Sequence, residues 1–139
     1  MFVLDTNHFR EVAIASVLGE RLRERIARSE GVVVTSIITA EETLRGWLAR
    51  LAAVADVSRQ MTAYAELGAV ILSLGDFSML PWDSDCAARF KAFRAQGIRI
   101  GTMDLKIACI TIEYDATLLT RNFVDFQKVP GLTVENWLD

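Results

Sequence analysis

Acidic side chains follow short apolar segments at several points along the chain, where a parallel sheet would bring them together. Asp5 comes directly after an apolar run at the start, and Asp104 opens a nearly apolar helical segment. Carboxylate and amide oxygens are the ligands that Mg²⁺ and Mn²⁺ prefer, and a cation relieves the repulsion between gathered carboxylates. Such a cation can activate water and stabilise charge on a phosphodiester. The candidates for this chemistry are Asp5, Glu42, Asp104, Asn122 and Asp125.

Each of these residues also has a structural interpretation. Glu42 stands three positions after Thr39, which is the spacing of a capping box with Thr39 as the N-cap. Asp104 fits the first turn of a helix, where the helix dipole favours an acid, and Asn122 fits a cap or a turn. Asp5 is harder to explain in this way, because a carboxylate at the end of a buried strand is costly without a partner.

The scarcity of histidine and cysteine excludes several other kinds of site. His8 is the one histidine, and Cys86 and Cys109 are far apart, so neither a zinc site nor a disulfide framework is expected. A lone histidine is more often a surface or capping residue than a ligand. No GxxxxGK[ST] or GxGxxG loop occurs. The net charge of -3 predicts that nucleic acid would be held by local basic residues, and Arg121 is a candidate phosphate contact.

Short apolar strands alternate with helical patterns, which indicates a parallel sheet with helices on both faces. Strands are predicted near residues 2–4, 32–35, 78–80, 117–119 and 132–134. Helices are predicted from the first strand to about residue 28, and over about residues 40–57, 58–72, 85–96 and 104–114. The helix over 58–72 is apolar on most sides and is expected to be deeply packed. Ligands of such sheets bind beyond the carboxyl ends of the strands, where the candidate residues fall.

The length of 139 residues and the hydrophobic content of 52% predict one α/β domain over residues 1–139 with a packed core. No basic stretch precedes an apolar run at the N-terminus, and no apolar run approaches the ~20 residues of a membrane span. Two unpaired cysteines suit a reducing compartment. We therefore expect a cytoplasmic protein that does not enter a membrane.

Taken in order, these motifs give the chain a family likeness. It resembles the PIN-domain ribonucleases, and among them the VapC-type toxins of prokaryotic toxin–antitoxin pairs. The stretches that carry the resemblance are residues 4–7 (LDTN), 36–39 followed by Glu42 and Gly46, 101–104, 120–122 followed by Asp125 and Phe126, and 129–132 with 135–137. The resemblance spans nearly the whole chain. It implies a PIN fold with a central parallel sheet of about five short strands and an acidic pocket that binds Mg²⁺ or Mn²⁺.

The resemblance also implies roles for individual residues. The acidic core of the family, which would hold the metal, corresponds to Asp5, Glu42 and Asp104. The fourth position is often Asp in the family and is Asn122 here, with Asp125 three residues further on, so either residue could complete the site. Supporting or water-positioning roles fall to Thr6 and Thr120.

The function implied by the resemblance is hydrolysis of RNA phosphodiester bonds. The protein would be a toxin that is covered by a small antitoxin, and it would form homodimers. Two alternatives stay open. A catalytically idle PIN-like domain would bind RNA or protein without cutting it, and Asn122 at an acidic position leaves room for that. A nuclease that acts on DNA would use the same acidic residues, since such metal sites act on many phosphoesters.

Overall fold

In the computed structural model, which describes residues 1–139, five short strands form one parallel sheet. The strands are β1 (Phe2–Leu4), β2 (Val33–Ser36), β3 (Met79–Leu80), β4 (Thr117–Leu119) and β5 (Thr133–Glu135). Their order across the sheet is β3-β2-β1-β4-β5. From β1 the chain adds β2 and β3 on one side of that strand, and it then adds β4 and β5 on the other side. The carboxyl end of β1 is therefore the switch point, where open α/β sheets bind ligands.

Seven helices connect the strands and cover both faces of the sheet. They are α1 (Thr6–Ala13), α2 (Val17–Arg28), α3 (Ile37–Ala53), α4 (Gln60–Leu74), α5 (Ser84–Ala95), α6 (Thr102–Glu113) and α7 (Phe123–Phe126). Val3 and Leu118 belong to one hydrophobic core, and Leu4 and Leu119 belong to the other. Successive strand side chains alternate between faces, so both faces of the sheet are buried. This confirms the predicted architecture.

The segment between the first two strands contains two helices, so the prediction of a single helix to residue 28 was wrong. Ala15 has a φ of 51°, which ends the helical path. Ser16 then caps α2, and its Oγ accepts the backbone N–H of Gly19 at 2.9 Å. A Cβ at Gly19 would lie 1.9 Å from the carbonyl oxygen of Glu11, so α2 can pack this closely on α1 only with glycine there.

The start of α3 differs from the predicted capping box. Ser36 is the N-cap, and its Oγ accepts the backbone N–H of Thr39 at 3.1 Å. The interpretation of Thr39 as the cap paired with Glu42 was therefore wrong. Because α3 begins at residue 37, Glu42 lies in its second turn, where its side chain is not needed for capping. The helix ends at residue 53, four residues before the predicted end.

The fourth helix is more exposed than its composition predicted. Only three of the fifteen residues of α4 are buried. Its exposed large side chains are Met61, Tyr64, Ile71 and Leu72. The expectation of deep packing was wrong because the apolar residues surround the helix while only one narrow face meets the core. None of the helices has both the length and the hydropathy to cross a bilayer. The start of α3 lies three residues before the predicted one, and α7 was not predicted. The other predicted boundaries lie within two residues of the observed ones.

Candidate active site

Asp5 lies at the carboxyl end of β1 and is the N-cap of α1. Its Oδ1 accepts the backbone N–H of His8 at 2.7 Å and lies 3.1 Å from Nδ1 of the same histidine. The residue is buried, with 5% of its surface exposed. No hydrogen bond within the chain uses Oδ2. One carboxylate oxygen therefore fixes the helix start, and the other is available to a cation.

His8 is completely buried, which differs from the expected surface or capping position. Its Nε2 accepts the backbone N–H of Trp137 at 3.2 Å. Because Nε2 is an acceptor, the neutral ring carries its proton on Nδ1, from which it donates to Asp5. His8 thus orients the Asp5 carboxylate and connects it to the C-terminal segment, and burial keeps the ring away from any substrate.

Glu42 is held at the boundary between α1 and α3. The hydroxyl of Thr6 donates to Oε1 of Glu42 at 2.6 Å. The hydroxyl of Thr39 lies 3.5 Å from that of Thr6 and 3.5 Å from the carbonyl oxygen of Leu4. These contacts join the end of β1 to α3. They place Thr6 beside an acidic candidate, in keeping with the supporting role predicted for it.

Asp104 lies in the first turn of α6, behind Gly101. A Cβ at Gly101 would lie 4.0 Å from Oδ2 of Asp104, so this side of the carboxylate is open. Burial and nearby negative charge raise the pKa of Asp104 to about 6, and burial is the larger cause. The charges that contribute are, in decreasing order, those of Glu42, Asp5 and Asp125. Three other chain segments therefore bring carboxylates within electrostatic reach of Asp104.

Asn122 and Asp125 form one unit at the start of α7. Oδ1 of Asn122 accepts the backbone N–H of Asp125 at 3.3 Å, and its Nδ2 donates to the Asp125 carboxylate at 3.0 Å. This side-chain bond, together with nearby Lys128, holds the pKa of Asp125 below its usual range. Thr120 supports the turn, since its hydroxyl accepts the backbone N–H of Asn122 at 3.0 Å. The geometry favours Asp125 as the fourth acidic group and Asn122 as the residue that positions it.

Arg121 is engaged by the C-terminal residue. Its Nε and Nη2 donate to the two carboxylate oxygens of Asp139 at 3.1 and 2.8 Å. This bidentate pairing raises the pKa of the guanidinium above its usual range. The phosphate contact predicted for Arg121 would have to form on a guanidinium that is already paired with Asp139.

Sequence reasoning missed a groove that begins beside Thr6 and Glu42. Three of its other lining residues are Arg10, Trp47 and Arg50. A signal was present, because Glu42, Gly46 and Arg50 recur every four residues and so share one side of α3, with Trp47 three residues before Arg50. The contribution of α1 to the groove depends on tertiary packing, which no local pattern reports.

The oxygen donors fit a hydrated divalent cation better than a ligand cage. No group of three or more His, Cys, Asp or Glu side chains is arranged to hold an ion. Mg²⁺ usually binds through one or two carboxylates and keeps several waters. Asp104 is a half-buried carboxylate whose pKa is raised by burial and by the charges of three others, and such an ion would relieve this repulsion. The residues therefore fit an ion held by one or two carboxylates directly and by the rest through water.

The family of the protein follows from its sequence as a whole. The profile of the PIN domain matches residues 2–132, and the chain belongs to the PIN domain family. The chain is also 25% identical over 118 residues to Ribonuclease VapC2 of Rickettsia felis, an alignment that covers 82% of this chain and 80% of that protein.

The fold is shared with solved toxin–antitoxin structures. VapBC2 from Rickettsia felis, bound to a DNA fragment from the promoter, matches with a TM-score of 0.75 and 22% identity over 98% of each chain. DNA-bound VapBC from Salmonella typhimurium matches with a TM-score of 0.75 and 22% identity, covering 98% of this chain and 97% of that one. These likenesses confirm the expected PIN-like fold, a central parallel sheet of five short strands with helices on both faces.

Proposed function

We propose that the protein is a Mg²⁺- or Mn²⁺-dependent endoribonuclease. The observation that carries this proposal is the convergence of Asp5, Glu42, Asp104 and Asp125 at the switch point of the sheet, which the raised pKa of Asp104 reflects. The similarity to a ribonuclease over four-fifths of the chain supports RNA as the substrate.

Two carboxylates would hold most of the metal's contacts with the chain. Asp5 and Asp104 would be the direct ligands, and Glu42 would act directly or through water. Asp125, fixed by Asn122, would be the fourth acidic group and would orient a water or a second cation. When bound, the cation stabilises negative charge on the phosphodiester and lowers the pKa of water.

Hydrogen bonds within the chain leave one carboxylate oxygen of Asp5 and one of Glu42 without a partner. The ring and the backbone N–H of His8 both bind Oδ1 of Asp5, so only Oδ2 is without a hydrogen bond in the chain. Thr6 occupies Oε1 of Glu42 in the same manner, which leaves Oε2 for a water. The acidic cluster is therefore preorganised before substrate arrives, and little side-chain freedom is lost on binding.

The test is cleavage of total cellular RNA by the purified chain with Mg²⁺ or Mn²⁺, with sequencing of the new 5′ ends. We expect new ends that vanish with EDTA and with Asp104→Asn. Asp85→Asn is the matched control, because Asp85 is the first-turn acid of α5 and lies outside the site. New ends that persist in Asp104→Asn would reject the assignment of the metal site. Equal cleavage of a matched DNA strand would favour the DNA nuclease, and the absence of both cleavage and Mn²⁺ binding would favour the idle binding module.

The same protein acts as the toxin of a toxin–antitoxin pair, with a small antitoxin as its partner. Its fold neighbours are toxin–antitoxin complexes. The exposed apolar side chains of α4, such as Met61, Tyr64 and Leu72, are a surface that a protein partner or a second copy would cover.

Growth on induced expression tests the toxin role. We expect the chain to arrest growth, Asp104→Asn to be harmless, and Asp85→Asn to arrest growth like the unaltered chain. Coexpression of a cognate antitoxin should restore growth. Sedimentation of the purified chain at twice its mass of 15.5 kDa would support a homodimer. If cells grow equally well with the unaltered chain, Asp104→Asn and Asp85→Asn at equal expression, the toxin role is rejected.

A further inference from the structure

A groove of about 270 Å³ opens from the acidic cluster and runs between α1 and α3. Thr6 and Glu42 form its inner end, so it is continuous with the proposed metal site. One wall comes from the first two turns of α1. The other is one side of α3 as far as Arg50. Of its eight lining residues only Trp47 is hydrophobic.

The groove carries positive charge beside a negative site. Arg10 is exposed and makes no ion pair and no side-chain hydrogen bond. Arg50 donates to Glu66 at 2.8 Å and lies over the ring of Trp47, 4.8 Å from its centroid. These two contacts orient the Arg50 guanidinium in advance. In a chain of net charge -3, such a local pair of arginines is what an anionic strand would need in order to approach the carboxylates.

Two further features of the groove have no explanation in the fold itself. Thr43 lines it with 7% of its surface exposed, and its hydroxyl is buried without a hydrogen-bond partner. Gly46 stands in the middle of α3, where glycine disfavours a helix by about 1 kcal/mol relative to alanine. A Cβ at Gly46 would meet no atom within 4 Å, so packing does not require glycine there. An unpartnered hydroxyl and an open helix surface both suit a ligand that lies across this part of α3.

We propose that the groove between α1 and α3 binds the single-stranded RNA that flanks the bond to be cut. Arg10 and Arg50 hold its phosphates, and Thr43 supplies a hydrogen bond. The Arg50 guanidinium over Trp47 offers a surface for a base, since unpaired bases stack on aromatic rings and on guanidinium planes. Gly46 leaves room for the strand. The inference rests on the proposed function, which sets the cleaved phosphate at the Glu42 end.

The first test is RNA binding by full-length chains that carry Asp104→Asn to prevent cleavage. The probe is a short fluorescein-labelled single-stranded RNA of mixed sequence, followed by fluorescence anisotropy in Mg²⁺. We expect Gly46→Gln, which places a side chain in the groove, to weaken binding about tenfold. Gly68→Gln is its matched control, because Gly68 is an equally open glycine inside α4 and outside the groove. A thermal melt of each variant checks that it is folded.

The arginines give a second readout. Arg10→Gln and Arg50→Gln should each weaken binding and lower the salt dependence of log Kd by about 0.7, the value for one lost contact to a single strand. Arg45→Gln is the matched control, since Arg45 lies on α3, pairs with Glu41 and does not line the groove. Equal affinity and equal salt dependence for groove variants and controls would overturn the proposal.

Failure of this inference and failure of the proposed function give different results. If the unaltered chain cuts RNA and Gly46→Gln cuts it with the same KM, the groove assignment is wrong and the nuclease stands. If no chain cuts RNA but Gly46→Gln still weakens binding relative to Gly68→Gln, the groove assignment stands and the nuclease assignment fails.

Discussion

Replacement of Asp104 by Asn should stabilise the metal-free protein, and more so as the pH rises. The pKa of Asp104 is raised from 3.8 to about 6 in the folded chain, so folding favours its protonated form. Its contribution to stability is fully present below the unfolded-state pKa and is lost as the pH rises through about 6. The Asn side chain cannot titrate, so the variant does not lose this contribution.

The size of the effect follows from the difference between the two pKa values. A difference of about two, at about 1.4 kcal/mol per pKa unit, gives a ceiling of about 3 kcal/mol. Asp104 is only partly buried, and solvent screening reduces this to about 1–2 kcal/mol. For a domain of this size we expect the Asn variant to gain roughly 3–8 °C in Tm over the unaltered chain at neutral pH, and little in acid.

The assay is urea unfolding in EDTA at about pH 3.5 and about pH 7.5, which lie on either side of the window from 3.8 to about 6. Asp85→Asn is the control, because Asp85 is an exposed first-turn acid outside the site. Mn²⁺ should then stabilise the unaltered chain and leave the Asp104→Asn chain almost unchanged. A stability difference between Asp104→Asn and the unaltered chain that is the same at both pH values would refute the reasoning.

Two further substitutions test the packing that supports the site. His8→Ala should lower the free energy of unfolding by about 2–4 kcal/mol, because it opens a cavity and leaves the Trp137 N–H without its acceptor. Denaturant unfolding measures this, with the exposed neighbour Asn7→Ala as control. Gly19→Ala should cost about 3 kcal/mol, because its Cβ would meet the backbone of Glu11 and force α1 and α2 apart.

Gly46→Ala provides a comparison for the prediction about Gly19→Ala. Gly46→Ala adds the same methyl group where no atom lies within 4 Å, so we expect it to stabilise the fold by about 0.5–1 kcal/mol. If Gly19→Ala were no more harmful than Gly46→Ala, the described close packing of α2 on α1 would be incorrect.

Much of the fold was predictable because strand and helix patterns are local. The β-branched run of β2 and the turn residues after β1 placed Asp5 and its neighbours correctly at strand ends. The break near Ala15 was missed because the apolar spacing of the sequence continues through it. The exposure of α4 was missed because composition gives the number of apolar residues and not the area that the core can cover.

The sequence predicted the candidate residues of the site but not the contacts that hold them. Carboxylates after strands are visible in a sequence, whereas the bond between His8 and Trp137 joins residues 129 positions apart. The groove also depends on how α1 meets α3. Such long-range contacts follow from tertiary packing, so only the structure could reveal how Asp5 is held and how the groove is formed.

Asp5 shows that the structural and catalytic interpretations of a strand-end residue need not compete. Its Oδ1 caps α1 and binds His8, and its Oδ2 has no partner within the chain. Asn is as good an N-cap as Asp, so Asp5→Asn should keep the fold within about 1 kcal/mol while removing the charge that a cation needs. Asp5→Ala should lose both. Calorimetric titration with Mn²⁺, alongside urea unfolding, separates the two roles: if Asp5→Asn unfolds as easily as Asp5→Ala, the carboxylate serves the fold through its charge and not only through its cap.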